Sequence, residues 1–419
     1  MICSSSSLLS RDNSNIIAHH LLIPSQTDEK YYAINYQAFI AFAIIGCRYH
    51  GLGFCHHNAN SNQYYLSLMQ GITNIGSTLK LKTLGIRTLA FYSLTSIIAI
   101  SLGLSAVMLM PEWQPLVEPV TVADHIRLID QESVTGSSIT AKLLAMALIN
   151  PFAALANGNL LAIVLFSLLF SVSLLLSLPQ KHVIFDVIAG LNKGLNKLVQ
   201  GIIRLAPIAV FAIVFEFTVA GNTGLFGQLA LFALLVFVLT VIHGVVVLPT
   251  LAKIFTGIKF STLFRAISAP LAMAFATSSS TATLPLSMQA AEKELGISQS
   301  TSSFVLPLGA VMNMDGTALF EGVAAIFLAQ LFGVDLSTTG IVMIFIMAMV
   351  SSVGAPGMPS GSMSGMQLVM LAAGIPLEGI AILLIIERPL DTFRTAVNVE
   401  GDLVAALVVD KWQQNKSMV

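Results

Sequence analysis

Long apolar runs govern what this chain can become. A helix needs about 20 apolar residues to cross a bilayer. Six stretches reach that length: 84–110, 141–178 (with a break at Asn150-Pro151), 183–220, 224–254, 298–332 and 376–410. Two more, 259–293 and 336–372, are interrupted midway by small and polar residues, Ser278–Pro285 and Ser351–Ser362. Irregular backbone at membrane depth is tolerated only inside protein or lining a wet cavity. Both stretches therefore read as re-entrant helical hairpins whose tips meet inside the protein. Composition agrees: 10% of residues are charged and 55% apolar, against about 25% charged in soluble domains. That excludes a nucleic-acid binder, a disordered protein and almost any soluble enzyme, and predicts an all-α polytopic membrane protein.

Basic residues set the orientation, because they gather on the cytoplasmic side. Lys80, Lys82 and Arg87 precede the first span, and Glu112, Glu118, Asp124, Asp130 and Glu132 outnumber Arg127 after it. Lys181, Lys193, Lys197 and Arg204 follow, then Lys253, Lys259 and Arg265. The alternation puts residues near 80, 190 and 260 in the cytoplasm and the 111–135 loop outside. The C-terminus, with Lys411 and Lys416, returns to the cytoplasm. A multi-pass protein of the plasma (inner) membrane is expected.

The first 64 residues differ from the rest. All three cysteines (Cys3, Cys47, Cys55) and five of eight histidines lie there, so no disulfide framework holds the membrane body. Ala38–Cys47 is too short an apolar run to span, and Met1–Ser14 lacks the plan of a secretory signal. Cys55-His56-His57 has no second ligand pair at a metal-binding spacing. An interfacial or poorly ordered segment is expected. Composition sets 1–64 apart as a divergent segment, ahead of the membrane runs of 65–255 and 256–412 and a tail at 413–419.

A charge at mid-membrane costs about 2.5–3.5 kcal/mol on insertion scales, so it marks a site by default. The last span carries Glu387, Arg388, Asp391, Arg394, Glu400 and Asp402. Asp391, Arg394, Thr395, Asn398 and Asp402 fall at helical spacing on one face. A self-neutralising pair of Asp391 and Arg394 is the plainer reading, but it leaves Asn398 and Asp402 unexplained. The 298–332 span holds a second break, Asn313-Met314-Asp315-Gly316-Thr317. Carbonyls freed there beside a carboxylate suit a small cation, with Gly316 permitting the unwinding. At the hairpin tips Pro285 and Pro359 are expected in the first turn of each returning half-helix, whose free N–H groups suit a carboxylate. Hairpin followed by span occurs twice, as 259–332 and 336–410, in opposite orientations. Inverted repeats with broken helices meeting at mid-membrane characterise secondary transporters.

These motifs, with Asn150–Asn159, resemble the dicarboxylate/amino acid:cation symporter family, the sodium-coupled glutamate and aspartate transporters, over about residues 65–412. The resemblance implies an inverted-repeat elevator transporter, not an enzyme, with sodium ions as coupling ions and no other cofactor. It implies that Arg394 pairs with the substrate's side-chain carboxylate and Asp391 with its amino group. Thr317, Thr395 and Asn398 would add hydrogen bonds. Ser279, Ser280 and the second tip, including Gly357 and Pro359, would hold the main-chain carboxylate. One sodium site would use Gly309, Asn313, Asn398 and Asp402, and another Tyr92, Thr95 and Ser96 with Asn313 and Asp315. A third would use Val311, Ser352, Val353 and Ala355.

A fixed guanidinium holds a carboxylate bidentately and Asp391 suits an ammonium, which favours an acidic amino acid over a plain dicarboxylate. Relatives with an extra arginine at either of two positions differ from this chain, which has Ser278 and Thr392 there and Arg388 one turn before Asp391. Leu66–Gly76 looks like the end of the family's second span, and the scaffold helices before it are missing or divergent. A homotrimer in the lipid bilayer is expected if the scaffold is intact. The alternatives are a proton-coupled or C4-dicarboxylate carrier and a transport-inactive relative. An intramembrane aspartyl protease would want Gly-x-Gly-Asp, and Val399-Glu400-Gly401-Asp402 lacks the first glycine.

Overall fold

Asn150 and Asn159 show how the chain punctuates its helices. Asn150 Oδ1 accepts the Phe152 N–H at 2.9 Å, so the helix that opens on Pro151 is capped ahead of a proline whose missing N–H costs nothing there. Asn159 does the same for Ala162 at 3.2 Å. The computed structural model describes residues 65–73, 84–116, most of 144–204, a few positions between 207 and 218, 224–353, 357, 359–377 and 379–417. All of them belong to one unit, Leu52–Val419. The segment 1–64, residues 117–135 of the acidic loop and Gly354, Ala355 and Pro356 lie outside the described residues.

Among the described residues the regular elements are all helical. A short helical stretch at 65–73 precedes α1 (Ile86–Met108), α2 (Pro151–Asn157), α3 (Leu160–Ser177) and α4 (Val183–Ile203). Helix α5 (Gly224–Ile242) runs through a π-helical turn (His243–Val247) into α6 (Leu248–Thr256). Next come α7 (Phe260–Thr277) and α8 (Ser280–Lys293), then α9 (Gln299–Met312) and α10 (Asp315–Leu331). The chain ends with α11 (Thr338–Ser352), α12 (Ser362–Ala373) and the 39-residue α13 (Gly379–Ser417).

Among the described residues, four helical rods are long and apolar enough to cross a membrane: Ile86–Met108, Gly224–Thr256, Phe260–Thr277 and Gln299–Leu331. Helix α10 is the hub, buried along nearly its whole length and packed by α1, α5, α11 and α13. Helices α3 to α5 turn Leu169, Phe170, Leu191, Leu198, Leu231 and Leu234 outward. In a bilayer such a surface needs no covering.

The two interrupted stretches fold as the expected hairpins, α7 with α8 and α11 with α12. Their prolines sit elsewhere than expected. Ser279 caps α8 by accepting the Ala282 N–H at 3.2 Å, so the helix starts at Ser280 and Pro285 falls in its second turn. Pro359 lies in the turn before α12, which starts at Ser362. Both tips instead share a serine in the left-handed region two residues before the returning helix: Ser278 at φ 50° and Ser360 at φ 61°. They are the only non-glycine residues of positive φ among those described. The order hairpin then long or broken helix recurs, as α7 to α10 and as α11 to α13.

Candidate functional site

The predicted face of α13 is inside the molecule. Asp391, Arg394, Thr395, Asn398 and Asp402 are all buried, Arg394 to 1% exposure. Its guanidinium lies over the Phe320 ring, 4.0 Å from the centroid. There Arg394 Nη2 donates to Glu387 Oε1 at 2.9 Å and to Asp391 Oδ1 at 3.3 Å. The pair with Asp391 exists, then, but the shorter bond goes to Glu387, one acid for which the spacing argument named no role. Arg394 Nε and Nη1 are buried with no partner. A buried donor left unsatisfied is costly, so Nε and Nη1 are the donors of this guanidinium left for an incoming anion.

Asn313 and Met314 break the span between α9 and α10 with non-helical dihedrals (φ –125°, ψ 84° and φ –120°, ψ 61°). Gly316 is not the residue that unwinds: it has no positive φ and lies within α10. Its glycine is needed because a Cβ there would stand 2.9 Å from the Arg394 carbonyl oxygen. This close approach lets Asn398 Oδ1 accept the Gly316 N–H at 2.8 Å and brings Asn398 Nδ2 to 3.4 Å from Thr317 Oγ1.

Below the break, oxygen-bearing groups converge from three helices. Asn313 Nδ2 donates to Asp402 Oδ1 at 3.0 Å, Thr95 Oγ1 reaches Asn313 Oδ1 at 3.5 Å, and Ser96 Oγ donates to Asp315 Oδ1 at 2.7 Å. Gly309 faces both Asp402 and Tyr92. Tyr92 spends its hydroxyl hydrogen on the Val305 carbonyl at 2.8 Å, which leaves its lone pairs available. Hard oxygen donors with two carboxylates suit a small cation. His243, absent from the sequence expectation, stands in the π-helical turn with Nε2 3.3 Å from Asp315 Oδ2. Of the third predicted cation group, Val311 lies in the last turn of α9 and Ser352 and Val353 close α11. Ala355 lies outside the described residues.

The hairpin tips meet above this network. Ser279 Oγ donates to the Gly357 carbonyl at 2.7 Å and the Thr281 N–H to the same oxygen at 3.1 Å. Ser279, which the resemblance placed on the substrate's main-chain carboxylate, here gives its hydroxyl hydrogen to the other tip. Between the tips and α13 lies a cavity of about 10 Å³ lined by Ser280, Thr317, Gly357, Asp391, Thr395 and Asn398. That is roughly the space of one water. Arg394 lies behind this lining, and Ser279 and Pro359 are not part of it. Ser278, Met314, Gly361 and Ser362 also line it. The hydroxyls of Ser278 and Ser362 are buried without partners. Each is the small or hydroxyl-bearing residue of a tip, and only the tip geometry distinguishes it from its neighbours.

Buried charge, paired tips and a broken span converging on one small polar cavity define a membrane transporter. Residues 65–412 match the Sodium:dicarboxylate symporter family, and the chain belongs to that family. It is 34% identical over 358 residues to the proton/glutamate-aspartate symporter of Escherichia coli (strain K12), covering 83% of this chain and 80% of that one. It is 30% identical to the proton/sodium-glutamate symport protein of Bacillus caldotenax over 83% of this chain and 82% of the relative. The neutral amino acid transporter B(0) of Mus musculus is 36% identical over 62% of this chain and 47% of its own length. The family consists of integral membrane symporters, not enzymes.

Proposed function

We propose that this chain takes up acidic amino acids, glutamate or aspartate, by coupling their entry to that of sodium ions. The observation that carries the reading is the pair of unpartnered donors, Nε and Nη1, on the buried Arg394 guanidinium beside Asp391, one residue group for each charge of such a substrate. Arg394 takes the side-chain carboxylate, Asp391 the ammonium, and Thr317, Thr395 and Asn398 the remaining polar atoms. Ser280, Gly357 and the unpartnered Ser278 and Ser362 hydroxyls serve the main-chain carboxylate. Sodium occupies the oxygen network of Tyr92, Thr95, Ser96, Gly309, Asn313, Asp315, Asn398 and Asp402, and a third group at Val311, Ser352, Val353 and Ala355 closes with the second tip. The substrates named for the E. coli and B. caldotenax relatives support this choice.

Residues 256–412 form the transport core, which moves as an elevator against scaffold helices in 65–255. The protein sits in the plasma membrane with its C-terminus cytoplasmic, as a homotrimer. Purified protein in liposomes tests the central point: labelled aspartate accumulates only with an inward sodium gradient. Accumulation indifferent to sodium overturns sodium coupling.

One observation favours a second reading for the coupling ion. Glu321 in α10 is fully buried, with Oε1 accepting from Ser351 Oγ at 2.8 Å and Oε2 unpartnered. A lone buried carboxyl is suited to carry a proton rather than a charge. Uptake driven by an inward proton gradient without sodium, and lost in Glu321→Gln, selects this reading.

A further inference from the structure

The charges around the cavity do not balance for an acidic substrate. Its lining holds one charged side chain, the carboxylate of Asp391. Behind the lining, Glu387 and Asp391 both draw on the single guanidinium of Arg394, at 2.9 Å and 3.3 Å. Two acids and one base leave one negative charge in excess. Ser360 of the second tip satisfies the remaining oxygens, its N–H on Asp391 Oδ2 at 3.0 Å and its Oγ on Glu387 Oε2 at 2.7 Å, but it brings no charge. Asp315 and Asp402 belong to the oxygen network read as sodium sites, where the cations answer them. Glutamate or aspartate arrives with two carboxylates and one ammonium. Such a net anion meets like charge here, and repulsion is strong where water is excluded.

Arg388 is placed to correct this. It neighbours Glu387 in the sequence and lies three residues before Asp391 on α13. Its side chain is 52% exposed, with Nη1 3.6 Å from Asp391 Oδ2. That is too long for a hydrogen bond, and half-exposed pairs contribute little to stability. Its charge acts at the cavity all the same, because the carboxylate it touches is part of the cavity wall. Among the described residues, Arg388 and Arg394 are the two cations paired with these acids. We propose, on the reading of this cavity as the site of an acidic amino acid, that Arg388 is a specificity-determining residue. Its charge brings the cluster to neutrality and so favours substrates of net negative charge over neutral ones. A zwitterion without a charged side chain is nearly indifferent to Arg388, whereas an anion is not.

Calorimetry on the full-length protein in detergent tests this, with sodium fixed and ionic strength raised by choline chloride. Wild-type affinity for aspartate declines as ionic strength rises, because salt screens a half-exposed charge. Arg388→Gln weakens aspartate binding about five-fold at low ionic strength, the effect of one partly solvated charge, and flattens the salt dependence. Arg388→Glu weakens it further. Arg388→Lys restores most of the affinity, since it keeps the charge and changes only the geometry. Asparagine competes with aspartate no more weakly in Arg388→Gln than in the wild type. Wild-type affinity in Arg388→Gln overturns the role of Arg388. A loss that Arg388→Lys fails to restore, or that asparagine shares, does the same. Wild-type protein that binds no aspartate at all overturns the substrate reading itself, so the two failures are told apart.

Discussion

The two hairpins follow one plan and are held in different ways. In the first, a two-residue tip is closed by its own Ser279 cap, and the loop from α8 into α9 is pinned to the end of α13. There Asp410 Oδ1 accepts from Ser298 Oγ at 2.5 Å, from Thr301 Oγ1 at 2.8 Å and from the Ser298 N–H at 3.3 Å. Ser302 Oγ ties α9 back to Glu292 of α8 at 2.6 Å. The second hairpin has a longer tip, 353–361, with no side-chain cap on α12, and leans on Ser360 and on the first tip. A shared order of elements therefore does not mean that the two hairpins are held alike. The first hairpin is held by bonds of its own and by the end of α13, the second by bonds to the middle of α13 and to the first tip.

Four substitutions break or sharpen that contrast. The largest effect belongs to Arg394→Ala, which leaves Glu387 buried without a counter-charge and Asp391 with only its longer contact to Arg388, 3.6 Å. Removing one partner of a buried pair costs about 3–5 kcal/mol, so thermal stability falls and aspartate binding by calorimetry disappears. Retained affinity refutes the role of Arg394. Asp410→Ala comes next, stripping the external staple of the first hairpin. It lowers stability by about 2–3 kcal/mol through lost charge-assisted hydrogen bonds, read as a lower midpoint in detergent. An unchanged midpoint removes this staple from the account of how the first hairpin is held.

Gly357→Ala acts where the tips touch. A Cβ there would meet the Ala310 carbonyl oxygen at 2.5 Å and Thr281 Oγ1 at 2.6 Å. Overpacking of this sort costs about 1–3 kcal/mol, and because it opposes tip closure, aspartate affinity drops about ten-fold or more. Unaltered affinity removes tip contact from the account. The smallest change is Ser279→Ala, which deletes a helix cap worth about 1 kcal/mol together with the bond to Gly357. A several-fold weaker affinity with little shift in unfolding midpoint is expected, and a wild-type affinity shows the cap to be dispensable.

Much of this molecule was legible beforehand. Apolar runs, two runs interrupted at mid-length, and polar residues at helical spacing on α13 are all local patterns, and most became helices where expected, although the 183–220 run is described as a continuous helix only to Ile203. Glu387 and Asp391 illustrate the limit. Both were visible as charges in the last span, yet spacing grouped only Asp391 with Arg394. The guanidinium reaches a full two turns back to Glu387 because Phe320, from another helix, fixes where it lies. Gly316 shows the same limit: glycine in a broken span suggested unwinding, whereas the need came from the Arg394 backbone across the interface.

What the sequence determined alone was therefore the inventory: helices, breaks, the buried charges and the family. Such properties follow from hydropathy and periodicity, which are written residue by residue. What only the tertiary structure decided was the pairing of those charges. Which oxygen Ser360, His243 or Ser279 reaches depends on distances between helices far apart in sequence, and a hydrogen bond is lost within a fraction of an ångström.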